Sequence, residues 1–137
     1  MIVIRDTLGD VTGAALKRFY GDCDFDNGRT AEQHEAAFRN SVVRLAFDGG
    51  KLVGTARAIS DGVGCAAVFD VCVLPSHRGR GIATRLMRSL REALAGQFIL
   101  LTCERPLQAL YGELGFAPLR PGDVTLAIPD TLGRRDV

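Results

Sequence analysis

The densest chemistry in this chain lies in Arg78-Gly79-Arg80-Gly81, two guanidinium groups alternating with two glycines. The loop follows an apolar, β-branched run that ends at Pro75, and it opens into an amphipathic helix. The first turn of a helix has N–H groups without an intrahelical acceptor and a partial positive charge, so phosphates sit there readily. Glycine lets the backbone come close to a ligand, and arginine supplies a fixed charge. Phosphate binding is the first inference, and the compound that carries the phosphate is the open question.

A nicotinamide dinucleotide is one candidate. Gly79-Arg80-Gly81 begins the fingerprint G-x-G-x-x-G, and Glu104 near the end of the next strand could hold a ribose. Thr84 replaces the third glycine, however, and such a domain needs several successive βαβ units. Here the N-terminal half is rich in hairpin signals, and only residues 105–137 follow Glu104. The GxxxxGK[ST] loop of nucleotide triphosphatases is absent.

Other polar residues offer weaker chemistry. Asp22, Asp24 and Asp26 are spaced like a calcium loop, but Asn27 holds the obligatory glycine position and Gln33 the bidentate glutamate position. His34 and His77 have no partners at ligand spacing. The four cysteines, Cys23, Cys65, Cys72 and Cys103, are far apart, so no metal site is expected. Cys65, Cys72 and Cys103 lie in strand-like apolar runs where a reduced thiol acts as a small hydrophobe, and Cys103 reads as core.

The elements that must position these residues follow from periodicity and turn chemistry. Residues 2–6 read as a strand, and Asp10 can cap a helix from about Val11 to Tyr20. Thr30 with Gln33 forms a capping box for a second helix to about Arg39. Strand-like runs at 42–47 and 51–59 flank Asp48-Gly49-Gly50, a hairpin signal, and Ser60-Asp61-Gly62 leads to the long run 64–74. A helix from about Gly81 to Ala95 turns Ile82, Leu86, Leu90 and Leu94 inward and is stopped by Gly96. Residues 98–103 (FILLTC) read as a buried parallel partner of the 64–74 strand. Pro106 starts a short helix to Leu114, closed by Gly115, and strands near 116–119 and 124–128 complete the domain. Residues 129–137 read as a frayed tail.

The expected fold class is therefore α/β, a central mixed sheet with antiparallel N-terminal strands and one βαβ unit, flanked by helices. At 137 residues the chain suits one domain, 1–137, with a real hydrophobic core. A net charge of +1 gives no reason to expect nucleic acid or a membrane surface as a partner. No apolar stretch reaches spanning length and the first residues lack a signal peptide's features, so the expected compartment is the cytoplasm.

Two motifs together resemble the GNAT superfamily of acyl-CoA-dependent N-acetyltransferases. Arg78-Gly79-Arg80-Gly81-Ile82-Ala83 matches [Q/R]-x-x-G-x-[G/A] after a strand, and Tyr111-Gly112-Glu113-Leu114-Gly115-Phe116 matches Y-x-x-x-G-F. The order of elements is similar over roughly residues 2–128. The stretch LVGTARAISDG…FDVCVLP looks closest to the branch with plastid serotonin/arylalkylamine N-acetyltransferases and their small bacterial relatives.

That resemblance implies acetyl-CoA as cosubstrate, with its pyrophosphate on the N–H groups of Gly79, Arg80, Gly81, Ile82, Ala83 and Thr84, and with charge from Arg78 and Arg80. It implies that the pantetheine arm pairs with the backbone of Val71, Cys72 and Val73. It also implies that Tyr111 donates a proton to the coenzyme A sulfur, although a core tyrosine would read the same. Asp70, inside an apolar strand, needs a partner. It could take a proton from the amine or hold an arginine such as Arg57. Glu104 stands where the family often has asparagine, seven residues before the motif tyrosine, and cannot donate the same hydrogen bond at neutral pH. Acceptor binding or proton transfer are its alternative roles. The implied activity is direct transfer to a small-molecule or protein primary amine, and the alternative is a non-catalytic acyl-CoA-binding module. Dimers are common in enzymes that look like this, which leaves a homodimer open.

Overall fold

The alternating apolar runs in the middle of the chain become the centre of a five-stranded sheet. A computed structural model describes residues 1–128, and the expected tail at 129–137 lies outside them. The sheet order is β1 (Ile2–Arg5), β2 (Val42–Asp48), β3 (Lys51–Ser60), β4 (Cys65–Val73) and β5 (Phe98–Leu100). The first four strands are antiparallel neighbours, and β5 runs parallel to β4. Gly49 and Gly50 form the β2–β3 turn, with Asp48 opposite Lys51. Asp61 Oδ1 accepts from the N–H groups of Val63, Gly64 and Cys65 and so organises the β3–β4 turn.

The helix α3 (Ile82–Ala93) crosses one face of the sheet and makes the single βαβ connection. Ile82, Leu86, Met87 and Leu90 are buried along it, each worth about 2 kcal/mol of transfer free energy. It lies close because β3 offers Gly54 there. A Cβ at Gly54 would stand 3.0 Å from Leu86 Cδ1. The other face is covered by α1 (Gly13–Asp22) and α2 (Ala31–Arg39), where Tyr20 stacks on His34 with ring centroids 4.7 Å apart. The Thr30–Gln33 capping box forms with both of its hydrogen bonds.

Three sequence expectations need correction. The cap of α1 is Thr12, whose hydroxyl accepts from Ala15 N–H at 3.1 Å. Asp10 is passed over because Val11 N–H first closes a turn on Leu8 and the helix starts beyond it. The strand expected over 98–103 stops at Leu100 and is an edge, with Phe98 56% exposed. Cys103 therefore sits outside the sheet and is exposed rather than core. Residues 116–119 and 124–128 form no strand. Pro118 and Pro121 remove two backbone donors from that segment, and a ladder tolerates proline poorly. A short α4 (Gln108–Glu113) follows a one-turn 3-10 helix at Arg105–Leu107, as Pro106 suggested.

Candidate active site

The parallel ladder between β4 and β5 covers only Cys65–Ala67 opposite Phe98–Leu100. Beyond Ala67, β4 continues to Val73 with β3 on one side and, among the described residues, no strand on the other. The divergence has a local cause. Between its pairings with Arg57 and Thr55, β4 carries one extra residue, since Arg57 is opposite Phe69 while Thr55 is opposite Cys72. Such a bulge bends and twists a strand away from its neighbour. Asp70 sits in it at φ 56, one of two non-glycine residues with positive φ among the described residues. The open edge carries Val71, Cys72 and Val73, so their peptide groups lack a strand partner on that side.

The chain then enters the glycine loop. A one-turn 3-10 helix at Pro75–His77 leads to Arg78, and Gly79 and Gly81 adopt φ 78 and 75. Gly81 caps α3 from that left-handed position, which a residue with a Cβ rarely adopts. Arg85 N–H is the first to close a turn, on Gly81 O at 3.1 Å. The N–H groups of Gly81, Ile82, Ala83 and Thr84 ahead of it have no helical acceptor. Arg80 is exposed, while Arg78 Nε donates to Val73 O at 3.0 Å and ties the loop to the end of β4.

His77 anchors the same loop from below. Its Nε2 lies 2.9 Å from Asp48 Oδ2 at the end of β2, and its Nδ1 lies 2.7 Å from Ser76 Oγ. The His77 hydrogen bond, with the N-terminal amine and Arg80 contributing charge, holds the Asp48 carboxyl below the usual carboxylate range. The sequence offers His77 no partner at ligand spacing; the fold makes it a tether to β2.

Tyr111 stands at the mouth of the divergence. It is 7% exposed, packs edge-on against Phe116 and has the thiols of Cys103 and Cys72 as charge neighbours. Burial, with those two thiols behind it, raises the Tyr111 phenol above its ordinary value, so the proton stays on it throughout the neutral range. Glu104 caps the turn before α4 through its carbonyl, which accepts from Leu107 N–H. Its exposed side chain enters no ion pair among the described residues. A groove of about 720 Å³ runs beside β5 and includes Tyr111, Cys103 and Phe116.

Asp70 is brought elsewhere. Arg57 Nε donates to its Oδ2 at 2.6 Å, and the two side chains are 7% and 8% exposed. The partner that the sequence named is present. Less legible were Ser41 and Thr55, which bond Arg57 and the Asp70 carbonyl, and the Asp48–His77 tether. Polar residues at inward positions of apolar strands were the available signal for Thr55 and Arg57. The acidic loop after α1 is internally engaged, with Asp26 accepting from Gly28 N–H and lying 3.6 Å from Lys17. Among the described residues no cluster of His, Cys, Asp and Glu could hold a metal, and no helix is long and apolar enough to cross a membrane.

The parallel pair at the sheet's edge, β4 and β5, thus parts beside a glycine loop that opens the N-terminus of α3. The Acetyltransferase (GNAT) family profile matches residues 10–116. The chain belongs to that family. It is 33% identical over 122 residues to the chloroplastic serotonin N-acetyltransferase 2 of rice, Oryza sativa subsp. japonica, covering 84% of this chain and 60% of the relative. The chain thus spans three-fifths of that relative's length. A GNAT-family acetyltransferase from Streptococcus pneumoniae superposes with a TM-score of 0.79 at 30% identity, over 96% of this chain and 98% of that one. A GNAT-family structure from Xanthomonas campestris gives 0.78 at 28% identity, over 94% of each chain.

Proposed function

We propose that this protein transfers the acetyl group of acetyl-CoA directly to a primary amine, without a covalent acyl-enzyme. The observation that carries the reading is the succession along the chain of the Val71–Val73 edge, which β5 leaves unpaired, the glycine loop and the start of α3, with Tyr111 in electrostatic reach of Cys72. The edge offers peptide groups to a pantetheine arm, as a sheet edge does to an added strand. The glycine loop and the charges of Arg78 and Arg80 suit the phosphates. The N–H of Val73 polarises the thioester carbonyl.

The amine nitrogen attacks the thioester carbon, and the carbon–sulfur bond breaks as the oxyanion collapses. Tyr111 gives its hydroxyl proton to the departing thiolate. The amine's proton leaves, directly or through water, to Glu104, a carboxylate ahead of α4 that enters no ion pair among the described residues. The acceptor is a small molecule or a protein amino group. The rice relative's name favours an arylalkylamine such as serotonin as the first to try.

Calorimetric titration with acetyl-CoA, followed by thiol release against an amine panel that includes serotonin, tests the reading. Failure to bind acetyl-CoA would remove it. Binding without turnover on any amine, unchanged by Tyr111→Phe, would reduce the protein to an acyl-CoA-binding module.

A further inference from the structure

Asp70 and Glu104 are the two carboxylates that the sequence offers as proton acceptors, yet their surroundings differ in kind. Asp70 is directed across the strand toward β3, the side of β4 away from the open edge. Its Oδ2 is engaged by Arg57 at 2.6 Å, and Arg57 is itself fixed by Ser41 Oγ at 3.2 Å and by the Phe69 ring 5.4 Å below its guanidinium carbon. The Asp70 carbonyl accepts from Thr55 Oγ1 at 3.1 Å. These contacts converge on the residue with φ 56 that forms the bulge. Left-handed backbone is unfavourable for a residue with a Cβ, and it persists only where the surroundings over-determine it.

We propose that Asp70 is a positioning residue and not the base: the buried Arg57–Asp70 pair holds the left-handed bulge that keeps the Val71–Val73 edge open for the coenzyme arm. The proposal rests on the acyl-CoA reading of that edge. It extends the reading by giving the pair one task, which is to fix the backbone. The pair bridges β3 and β4, and Ser41, between α2 and β2, joins it from the strand on the other side of β3. The edge is thereby set before any ligand arrives, which lowers the ordering cost of binding.

Two double variants test this while removing both buried charges together, so that neither is left unpaired. Arg57→Met/Asp70→Gly allows the left-handed φ without the carboxylate. Arg57→Met/Asp70→Ala removes the pair and disfavours that φ. Thermal melts establish that each is folded, and the single variant Asp70→Asn serves as a third probe because asparagine tolerates left-handed backbone. Wild-type protein must first bind acetyl-CoA by calorimetry; if it does not, the acyl-CoA reading fails before the pair is tested.

With binding established, the glycine variant and Asp70→Asn are expected to keep kcat within about tenfold of wild type, well short of the loss of a general base. The pH profile of kcat/KM for the amine should keep its acidic limb. The alanine variant should bind acetyl-CoA about tenfold more weakly than the glycine variant, the scale of a left-handed alanine's penalty. A fall in kcat of about 100-fold or more in the glycine variant and Asp70→Asn, with acetyl-CoA affinity unchanged and the acidic limb lost, would make Asp70 the base. Equal acetyl-CoA affinity in the alanine and glycine variants would show that the pair does not hold the bulge.

Discussion

The two walls of the candidate site are built in opposite ways. The β4–α3 wall is tied at every point: the bulge by Arg57 and Thr55, the loop by Arg78 to Val73 O, and the turn before it by His77 to Asp48. The β5–α4 wall hangs on a three-residue edge strand, and Leu107, Leu119 and Val124 beside it are exposed. The difference separates holding from reacting. A coenzyme that presents the same groups in every turnover suits a preset surface. On the wall with Tyr111 and Glu104 the Glu104 side chain is exposed and enters no ion pair among the described residues, and the groove beside β5 includes Tyr111.

The comparison can be broken from either side, and the largest effect is expected on the reacting wall. Tyr111→Phe should lower kcat by about 100-fold or more while leaving acetyl-CoA affinity near wild type, read by thiol release and calorimetry. Because the Tyr111 phenol is raised, loss of its proton should not limit kcat anywhere near neutral pH. Glu104→Gln should cost about 10- to 100-fold in kcat, again with little change in coenzyme affinity. If it instead weakened acetyl-CoA binding alone, the division between the walls would fail.

On the holding wall, replacing both Arg78 and Arg80 with alanine should weaken coenzyme A binding by about tenfold or more, while pantetheine, which lacks the phosphates, should bind as before. Equal losses for both ligands would mean that Arg78 acts mainly by fixing the Val73 carbonyl.

The smallest expected effect lies behind the bulge. Burial is the main cause that lowers the His34 pKa from 6.5, and its Nε2 has no hydrogen-bond partner among the described residues. A group whose pKa is lower folded than unfolded contributes stability that is complete above 6.5 and is lost as pH falls through the folded value. His34→Phe, which keeps the stacking with Tyr20, should flatten urea-melt stability between neutral pH and pH about 5, and change it at neutral pH by no more than about 1 kcal/mol.

Much of the holding wall is legible in the chain. The glycine loop, the amphipathic α3, the Thr30–Gln33 box and the Asp48-Gly49-Gly50 turn depend on neighbours a few residues apart, and each forms where its spacing places it. The reacting wall is less legible. Residues 98–103 read as one buried strand because they are continuously apolar, yet β5 ends at Leu100 where the bulge carries its partner away. Nothing in FILLTC records a distortion located in β4, and the exposure of Cys103 follows from it.

The sequence by itself determined the glycine loop and the helix start that we propose for phosphates, because left-handed glycines and a helix start are local demands on φ and on unpaired N–H groups. It also determined that Asp70, in an apolar strand, had to find a partner. Only the tertiary structure decided that Arg57 engages Asp70, that β4 leaves β5 after Ala67, and that Tyr111 and Cys103 line one groove beside β5. Those outcomes depend on strand register and on side chains far apart in the chain, and register is set by the whole sheet at once.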